Sequence, residues 1–574
     1  MKKCNRKYFF HLCPLKNIYI LTVIIAFFTF LTPSILAHPL NYVPLGHWVY
    51  PAVSRLETLR AFDGNDTVAT NTLPLTRIEM AYLIDTALSN IQKGKIEFKD
   101  SDLALIEKLV LEFQEELTSI IIELDNELSF QGLKIIKLNK TTIILDNLKS
   151  TLKIDPYFTQ RIDFIYPGNQ SKLFSELGVK AFAAISENSA LYFDYSIDVN
   201  YLLDYHFTHL LNTQLNQAYL TLRFPSFEIP TPSNTPFFSS LSSIEFPDLD
   251  LMVGRDSMKW GPGYQGNLVL SDNPPAFDMI RYSGTVDLSD FGGRNGSLNF
   301  TKFFSLLDPL AGESRYFSGQ RLEYKPFDIL TLGLSETAVI SQESSLLFFN
   351  PLPFVPPYYL TRWIADLLGQ PSQINSYVGI DMELNFHPGI KLYGEFMADD
   401  FTFTPKTNPY PNRIGFLAGA YFADPFDTGN TDFRIEYTHI NNYVYFSTHP
   451  WQDYLYQGEY IGSPLGPDAD QLFLELTHRL SDKLNLSLSY THERHGEGQV
   501  GIPLPSDPII ANENIFLSGI IEKQQAYQAE ISYSISLRWA LSASATLKNI
   551  ENKDNSVGEN ESTTYFQMEL NYQF

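Results

Sequence analysis

Between Gly254 and Gly284 the chain reads GRDSMKWGPGYQGNLVLSDNPPAFDMIRYSG, and no other stretch of its 574 residues crowds aromatic, glycine and proline residues together in this way. A helix interior is excluded there, because Pro262 has no amide donor and Gly261, Gly263 and Gly266 carry a large entropic cost. A tight loop is allowed, since glycine accepts positive φ and lets another group approach the backbone closely. Trp260 and Tyr264 offer flat apolar faces with a polar edge. Asn267, Ser271, Asp272, Asn273, Asp278 and Arg281 add donors and acceptors within a few residues. Stacking faces beside hydroxyl-binding groups are the chemistry of carbohydrate recognition, with Trp260, Tyr264, Asn267, Asp272, Asn273 and Arg281 as the candidate contacts. The same composition also suits a structural loop folded into a barrel lumen, its aromatics packed and its Asn and Asp residues capping turns. Both readings stand on these residues.

Other constellations carry less. His492 and His495 are three apart, which puts them on opposite faces of a strand, and they lack the two-histidine spacing of helical zinc sites. His206 and His209 are treated the same way, so neither a metal nor another cofactor is expected. No serine sits in a recognisable nucleophile elbow and no glycine loop is shaped for phosphate, so no catalytic residue is assigned. A hydrolase of the envelope ranks third among the functions, after polysaccharide binding and a cation-selective pore. Asp381, Glu383, Glu395, Asp399, Asp400 and Glu436 make an acidic group suited either to a divalent cation that bridges to an acidic polymer or to a hydrogen-bond network along a hydrated wall.

The elements that must position these residues read as an exported membrane barrel. Lys2, Lys3, Arg6 and Lys7 precede an apolar run from Ile18 to Leu31, and Ser34-Ile35-Leu36-Ala37 follows, so residues 1–37 are expected to be a signal peptide. Cys4 and Cys13 fall inside it, which leaves the exported chain without disulfides or thiol chemistry. The net charge of −24 becomes −29 without Lys2, Lys3, Arg6, Lys7 and Lys16, and nucleic acid is excluded as a partner. Beyond the signal, strands alternate. Val378, Ile380, Met382, Leu384 and Phe386 share one face against Asp381, Glu383 and Asn385. Leu484, Leu486, Leu488 and Tyr490 oppose Asn485, Ser487, Ser489 and Thr491, and Phe433, Ile435 and Tyr437 oppose Arg434, Glu436 and Thr438. One greasy and one wet face is the pattern of a transmembrane antiparallel β-barrel, with membrane lipid outside and a polar lumen inside. Residues 129–574, divided by a typical strand and loop, predict about 18 strands. The proline-rich segments Phe224–Pro247 and Asn350–Tyr359 are expected to be extracellular loops, the second followed by a short helix over Leu360–Leu368 that narrows the mouth.

Residues 43–91 predict a small α-helical module with a capping box from Thr76 to Glu79. Leu103, Ile106, Val110, Phe113, Leu117, Ile120 and Leu124 then space by three and four over residues 100–128. They form either a coiled-coil seam that would make the protein a homo-oligomer or one amphipathic helix packed on the module.

Two resemblances add to this. KWGPGYQGNLVLSDNPPAFDMIRYSG resembles the signature of the Wzi-type capsule-assembly proteins. Tyr393-Gly394-Glu395-Phe396 with Asp399-Asp400-Phe401, and Ile461-Gly462-Ser463-Pro464-Leu465-Gly466-Pro467-Asp468-Ala469-Asp470, are similar to later segments of that family in the same order. This implies an outer-membrane barrel that holds surface polysaccharide. The helical module resembles an S-layer homology module in its His47-Trp48 opening and its Thr76-Arg77-Ile78-Glu79 signature. That likeness implies docking on peptidoglycan or an attached polymer through Trp48, Arg77 and Glu79. The last strand, ending Phe566, Met568, Leu570, Tyr572, Phe574, resembles the signal read by the barrel-assembly machinery.

Overall fold

The computed structural model describes residues 40–96, 98–120, 151–168, 170–202, 209–230, 243–246, 248–288, 296–341, 357–358, 374–400, 410–536 and 538–573. The signal segment, residues 121–150, His206, Leu124, Phe574 and most of the 350–368 stretch lie outside them.

Eighteen antiparallel strands close into one barrel, each paired with its neighbours in chain order. They are β1 Thr151–Tyr166, β2 Gln170–Ser186, β3 Ser189–Leu202, β4 His209–Phe224, β5 Leu249–Asp256, β6 Phe277–Asp287, β7 Ser297–Leu310, β8 Glu313–Phe327 and β9 Leu330–Ser341. The second half comprises β10 Ile374–His387, β11 Ile390–Asp400, β12 Arg413–Ala423, β13 Thr431–Ile440, β14 Ala469–Ser481, β15 Leu484–His495, β16 Glu522–Ser534, β17 Trp539–Glu551 and β18 Glu561–Gln573. Pairing of Tyr157 with Gln573 and of Tyr166 with Thr564 shuts the ring between β1 and β18. The expected alternation is what fixes the register. Ile380, Met382 and Phe386 point outward and are exposed, whereas Asp381, Glu383 and Asn385 on the same strand are buried in the lumen. A slip of one residue would turn the carboxylates to the lipid face.

Short turns join β8 to β9, β10 to β11, β14 to β15 and β16 to β17, and the long connections lie at the other end, which in outer-membrane barrels is the extracellular one. Strand direction then corrects one expectation. The 225–248 connection leaves β4 and enters β5 at the short-turn end, where Phe224 pairs with Leu249, so it is periplasmic rather than extracellular. Its prolines rightly exclude a central strand but carry no information about side. The helix expected over Leu360–Leu368, and with it the narrowing of the mouth, lies outside the described residues; of the β9–β10 connection only Pro357 and Tyr358 are described. Tyr358 lies on the outer wall, its N–H donating to Glu336 at 2.9 Å and its hydroxyl paired with Ser318.

Among the described residues four helices precede the barrel: α1 Val49–Thr58, α2 Arg77–Gln92, α3 Asp100–Glu112 and α4 Gln114–Ile120. Val49, Val53 and Leu56 of α1 and Leu83, Ile84 and Leu88 of α2 form one core. Ile106, Val110, Phe113 and Leu117 are buried in that same core. The heptad seam is therefore spent inside the chain, on a helix that breaks at Phe113. The coiled-coil route to a homo-oligomer is corrected accordingly, in favour of an amphipathic helix packing on the module.

The module closes the short-turn end of the barrel through buried charge. Arg55 pairs with Asp102 of α3 at 2.8 Å and with Asp432 of β13, and Asp432 also accepts from Arg479 of β14 at 2.9 Å. Lys391 of β11 bridges Glu57 of α1 at 2.7 Å and Glu383 of β10 at 3.0 Å. Asp432→Ala strips Arg55 and Arg479 of a shared buried partner, a class of change that costs about 3–5 kcal/mol. Trypsin should then cut within residues 40–120 of detergent-purified protein much faster than in wild type while the barrel stays heat-modifiable. Equal cutting rates would show that this pair does not dock the module.

Candidate functional site

Residues 257–276 leave β5 at the extracellular end and fold back into the lumen, where they meet the tip of the helical module. Trp260 and Lys259 pair with Thr72 and Leu73 as a two-residue ladder. Gly261, at φ +109°, donates its N–H to the Asn71 carbonyl at 2.8 Å. The Trp260 ring is 1% exposed and stands edge-on to Phe303 of β7 at 5.4 Å. It needs Gly319 on β8 beside it, because a Cβ there would lie 3.0 Å from the indole and 2.3 Å from the Phe303 ring.

Strand-borne carboxylates hold this loop by its backbone. Glu395 of β11 accepts from the Leu268 and Val269 N–H groups at 2.8 and 3.1 Å. Glu436 of β13 accepts from Tyr264 and Gln265 at 2.7 and 2.8 Å. Asp399 accepts from the N–H of Tyr445 in the β13–β14 connection at 3.0 Å. Tyr445 and Tyr454 in turn donate their hydroxyls to the Leu268 and Val269 carbonyls, each at 2.7 Å. Asp381 is paired with Arg321 and Asp400 with Arg413. The six acids thus belong to a hydrogen-bond and ion-pair network, and among the described residues no cluster of three or more His, Cys, Asp or Glu could hold a metal ion.

The candidate contacts separate into two groups. Trp260, Asn267 and Arg281 are enclosed: Asn267 Oδ1 accepts from Gly263 N–H at 2.7 Å. Arg281 pairs with Asp256 at 3.1 Å and lies over the Tyr42 ring at 4.2 Å. Tyr264, Asp272 and Asn273 are reachable. Asp272 is exposed 3.8 Å from Lys259, and Asn273 Nδ2 donates to the Tyr460 carbonyl at 2.9 Å. Tyr264 is 39% exposed. Arg434 lies over its ring at 3.9 Å, and its hydroxyl donates to Glu475 at 3.3 Å. Burial, reinforced by Glu475 and opposed by Arg434, pushes the phenol up to about 12. A cavity of about 230 Å3 opens beside Tyr264 and Gln265, walled by Phe473 and Glu475 of β14, Ser487, Ser489 and Thr491 of β15, and Gln528 and Glu530 of β16. The sequence marked the β15 hydroxyls only as a wet face. Their row at every second position was the available signal, but nothing local says which loop stands opposite.

In the helical module Trp48 is exposed beside His47, with ring centres 5.9 Å apart. Glu79 closes the expected capping box, accepting from Thr76 N–H at 2.6 Å while Thr76 Oγ1 accepts from Glu79 N–H at 3.3 Å. Arg77 donates to Glu116 at 2.5 Å, to Glu112 at 3.2 Å and to the Glu112 carbonyl at 2.7 Å, with its guanidinium 4.7 Å from the Phe113 ring. Burial works against its charge and the two carboxylates outweigh it, so its pKa lies above the ordinary arginine value.

The model of the family described as Capsule assembly protein Wzi matches residues 186–565, well over half of the chain. The chain belongs to the Wzi capsule-assembly family. Among solved structures it is similar to Wzi of Escherichia coli, described as an outer-membrane protein involved in group 1 capsule assembly and a carbohydrate-binding β-barrel. That likeness runs at 14% identity and a TM-score of 0.57 over 92% of this chain and 99% of that one. OprD of Pseudomonas aeruginosa aligns at 10% identity and a TM-score of 0.40 over 75% of this chain and 95% of its own, and OccD3 of the same organism at 11% and 0.38 over 74% and 93%. No curated protein sequence matches. This Wzi-family chain is an outer-membrane barrel, and the family match begins after its helical module.

Each bond from a carboxylate to a plug amide contributes about 1.5–3 kcal/mol. Replacing both Glu395 and Glu436 by Ala should release residues 257–276. In planar bilayers wild-type protein is expected to stay silent and the double variant to show fluctuating openings. Silence from both would place the seal elsewhere.

Proposed function

We propose that this Wzi-family barrel retains surface polysaccharide at the outer membrane, by many weak contacts and without turnover. The observation that carries this reading is the inward-folded loop. Its buried members build a rigid plug, and that plug presents Tyr264 at a cavity lined with hydroxyls and Asp272 and Asn273 near Tyr460. In this reading Tyr264, Asp272 and Asn273 touch the glycan, and Trp260, Asn267 and Arg281 hold the surface that presents them. Aromatic faces and neutral amides suit sugar hydroxyls. Single contacts on the order of 1 kcal/mol suffice when a repetitive polymer is held by many barrels at once. The experiment compares cell-attached with released glycan at matched outer-membrane protein level. Tyr264→Ala with Asp272→Ala and Asn273→Ala should shed polymer while the barrel remains heat-modifiable, and Trp260→Ala should instead lower the barrel's yield. Unchanged attachment in the triple variant would reject these residues as the polymer contact.

The helical module extends the reading toward the cell wall. Because Arg77 and Glu79 are engaged within the module, we assign them to its scaffold and leave Trp48 as the residue open to peptidoglycan or an attached polymer. In sedimentation with purified sacculi, Trp48→Ala should reduce pelleting of the detergent-solubilised protein severalfold. Equal pelleting of wild type and variant would discard a wall contact at Trp48.

A further inference from the structure

We infer that the cavity between the plug and strands β14–β16 is a discrete subsite for one non-acidic pyranose unit, separate from the contacts at Asp272 and Asn273. The inference rests on the polysaccharide-binding reading and adds to it where a single sugar is held and which sugars are refused.

Size, chemistry and charge each bear on it. About 230 Å3 is room for roughly eight waters at about 30 Å3 apiece, the scale of one sugar ring. The lining is amphipathic in the way a pyranose is. Tyr264 and Phe473, with ring centres 5.6 Å apart, form an aromatic wall. The hydroxyls of Ser487, Ser489 and Thr491, the Gln528 amide and the carboxylates of Glu475 and Glu530 form a polar one. β-structure produces that wall directly, since residues 487, 489 and 491 share the lumen face of β15 while Ser489 pairs with Glu475 on one side and with Gln528 on the other.

The charge decides the class. Among the described residues two carboxylates line the cavity and no lysine or arginine does. Glu475 accepts from the Tyr264 and Ser487 hydroxyls, both at 3.3 Å, and Arg434 reaches it only at 4.0 Å. Glu530 accepts from Gln528 at 3.3 Å. These contacts are long, so both carboxylates keep acceptor capacity for ligand hydroxyls or a ligand amine. A uronic acid would bring a third carboxylate into the same space and be repelled. Arg434, stacked between Tyr264 and Tyr421 at 3.9 and 4.3 Å, is engaged behind the aromatic wall and does not line the cavity.

Saturation-transfer NMR on the full chain in detergent, with methyl glucoside, glucosamine and glucuronate as probes, tests this. Methyl glucoside and glucosamine should bind with a dissociation constant on the order of 1 mM, and glucuronate at least tenfold more weakly. Glu530→Gln should narrow the gap between glucosamine and glucuronate, and Ser489→Phe, which fills the cavity, should abolish binding of all three while the barrel stays heat-modifiable. Preferred binding of glucuronate, undiminished binding in Ser489→Phe, or a response to calcium with none to sugar would overturn the subsite. If these arms fail and the Tyr264, Asp272 and Asn273 variant still sheds polymer from cells, the retention function stands without the subsite. If the sugars bind as expected and that variant retains its polymer, the subsite stands and Tyr264, Asp272 and Asn273 are rejected as the contacts that retain the polymer.

Discussion

The buried carboxylate that accepts backbone N–H groups is the interaction on which this lumen depends. A glycine- and proline-rich loop cannot satisfy its own amides through helix or sheet, and inside a barrel it finds little water to do so. Glu395 and Glu436 resolve this by projecting from adjacent parts of the wall and each taking two consecutive loop amides. The exchange is mutual, because an isolated carboxylate buried in the lumen would be as costly as the unpaired amides. Neither partner is stable there alone, so loop and wall must close together. Acidic strand positions and a loop rich in free N–H groups are one device written at distant places in the chain.

The helical module uses a related arrangement from the opposite end. Arg55 and Lys391 each sit between carboxylates contributed by the module and by the barrel wall. The module tip then reaches the inward-folded loop at Thr72 and Trp260. Glu323 accepts from the Asn71 N–H at 3.2 Å and the Thr72 hydroxyl at 2.7 Å. Two plugs that enter from opposite ends therefore interlock, packed against the wall from β4, where Tyr42 N–H donates to the Tyr219 hydroxyl at 3.0 Å, to β14, where Tyr264 meets Phe473. Inward residues of β15 to β17 remain only partly covered, and the cavity lies on that side.

How much of this was legible follows from the range of each signal. The outward row Ile380, Met382, Phe386 and the inward row Asp381, Glu383, Asn385 could be read because side-chain alternation is local to one strand. The capping box at Thr76 was readable for the same reason. The seam through Ile106, Val110, Phe113 and Leu117 was visible as a seam, but periodicity does not say whether its partner is another chain or the same one. Trp260 and Tyr264 look equivalent in a string, and only the position of Gly319 and Phe303 makes one a core residue and leaves the other open. The side on which residues 225–248 emerge depends on the parity of all preceding strands, which proline content cannot reveal.

The outer wall shows the same limit in its sharpest form. Lys302, Gln320 and Glu336 stand in register across β7, β8 and β9 on the face that elsewhere carries Leu306, Leu332 and Leu334 toward lipid. Such a row would be costly against hydrocarbon. Gln320 Nε2 donates to Glu336 at 2.6 Å, Tyr358 N–H donates to the same carboxylate, and Lys302 lies 5.6 Å from the Tyr358 ring centre. The three side chains are almost wholly shielded. A strand pattern that breaks the lipid-facing rule at three neighbouring positions thus calls for a covering segment on physical grounds alone. The break itself points to a cover on the barrel's outside at this row, and Tyr358 of the β9–β10 connection is the part of that cover that is described.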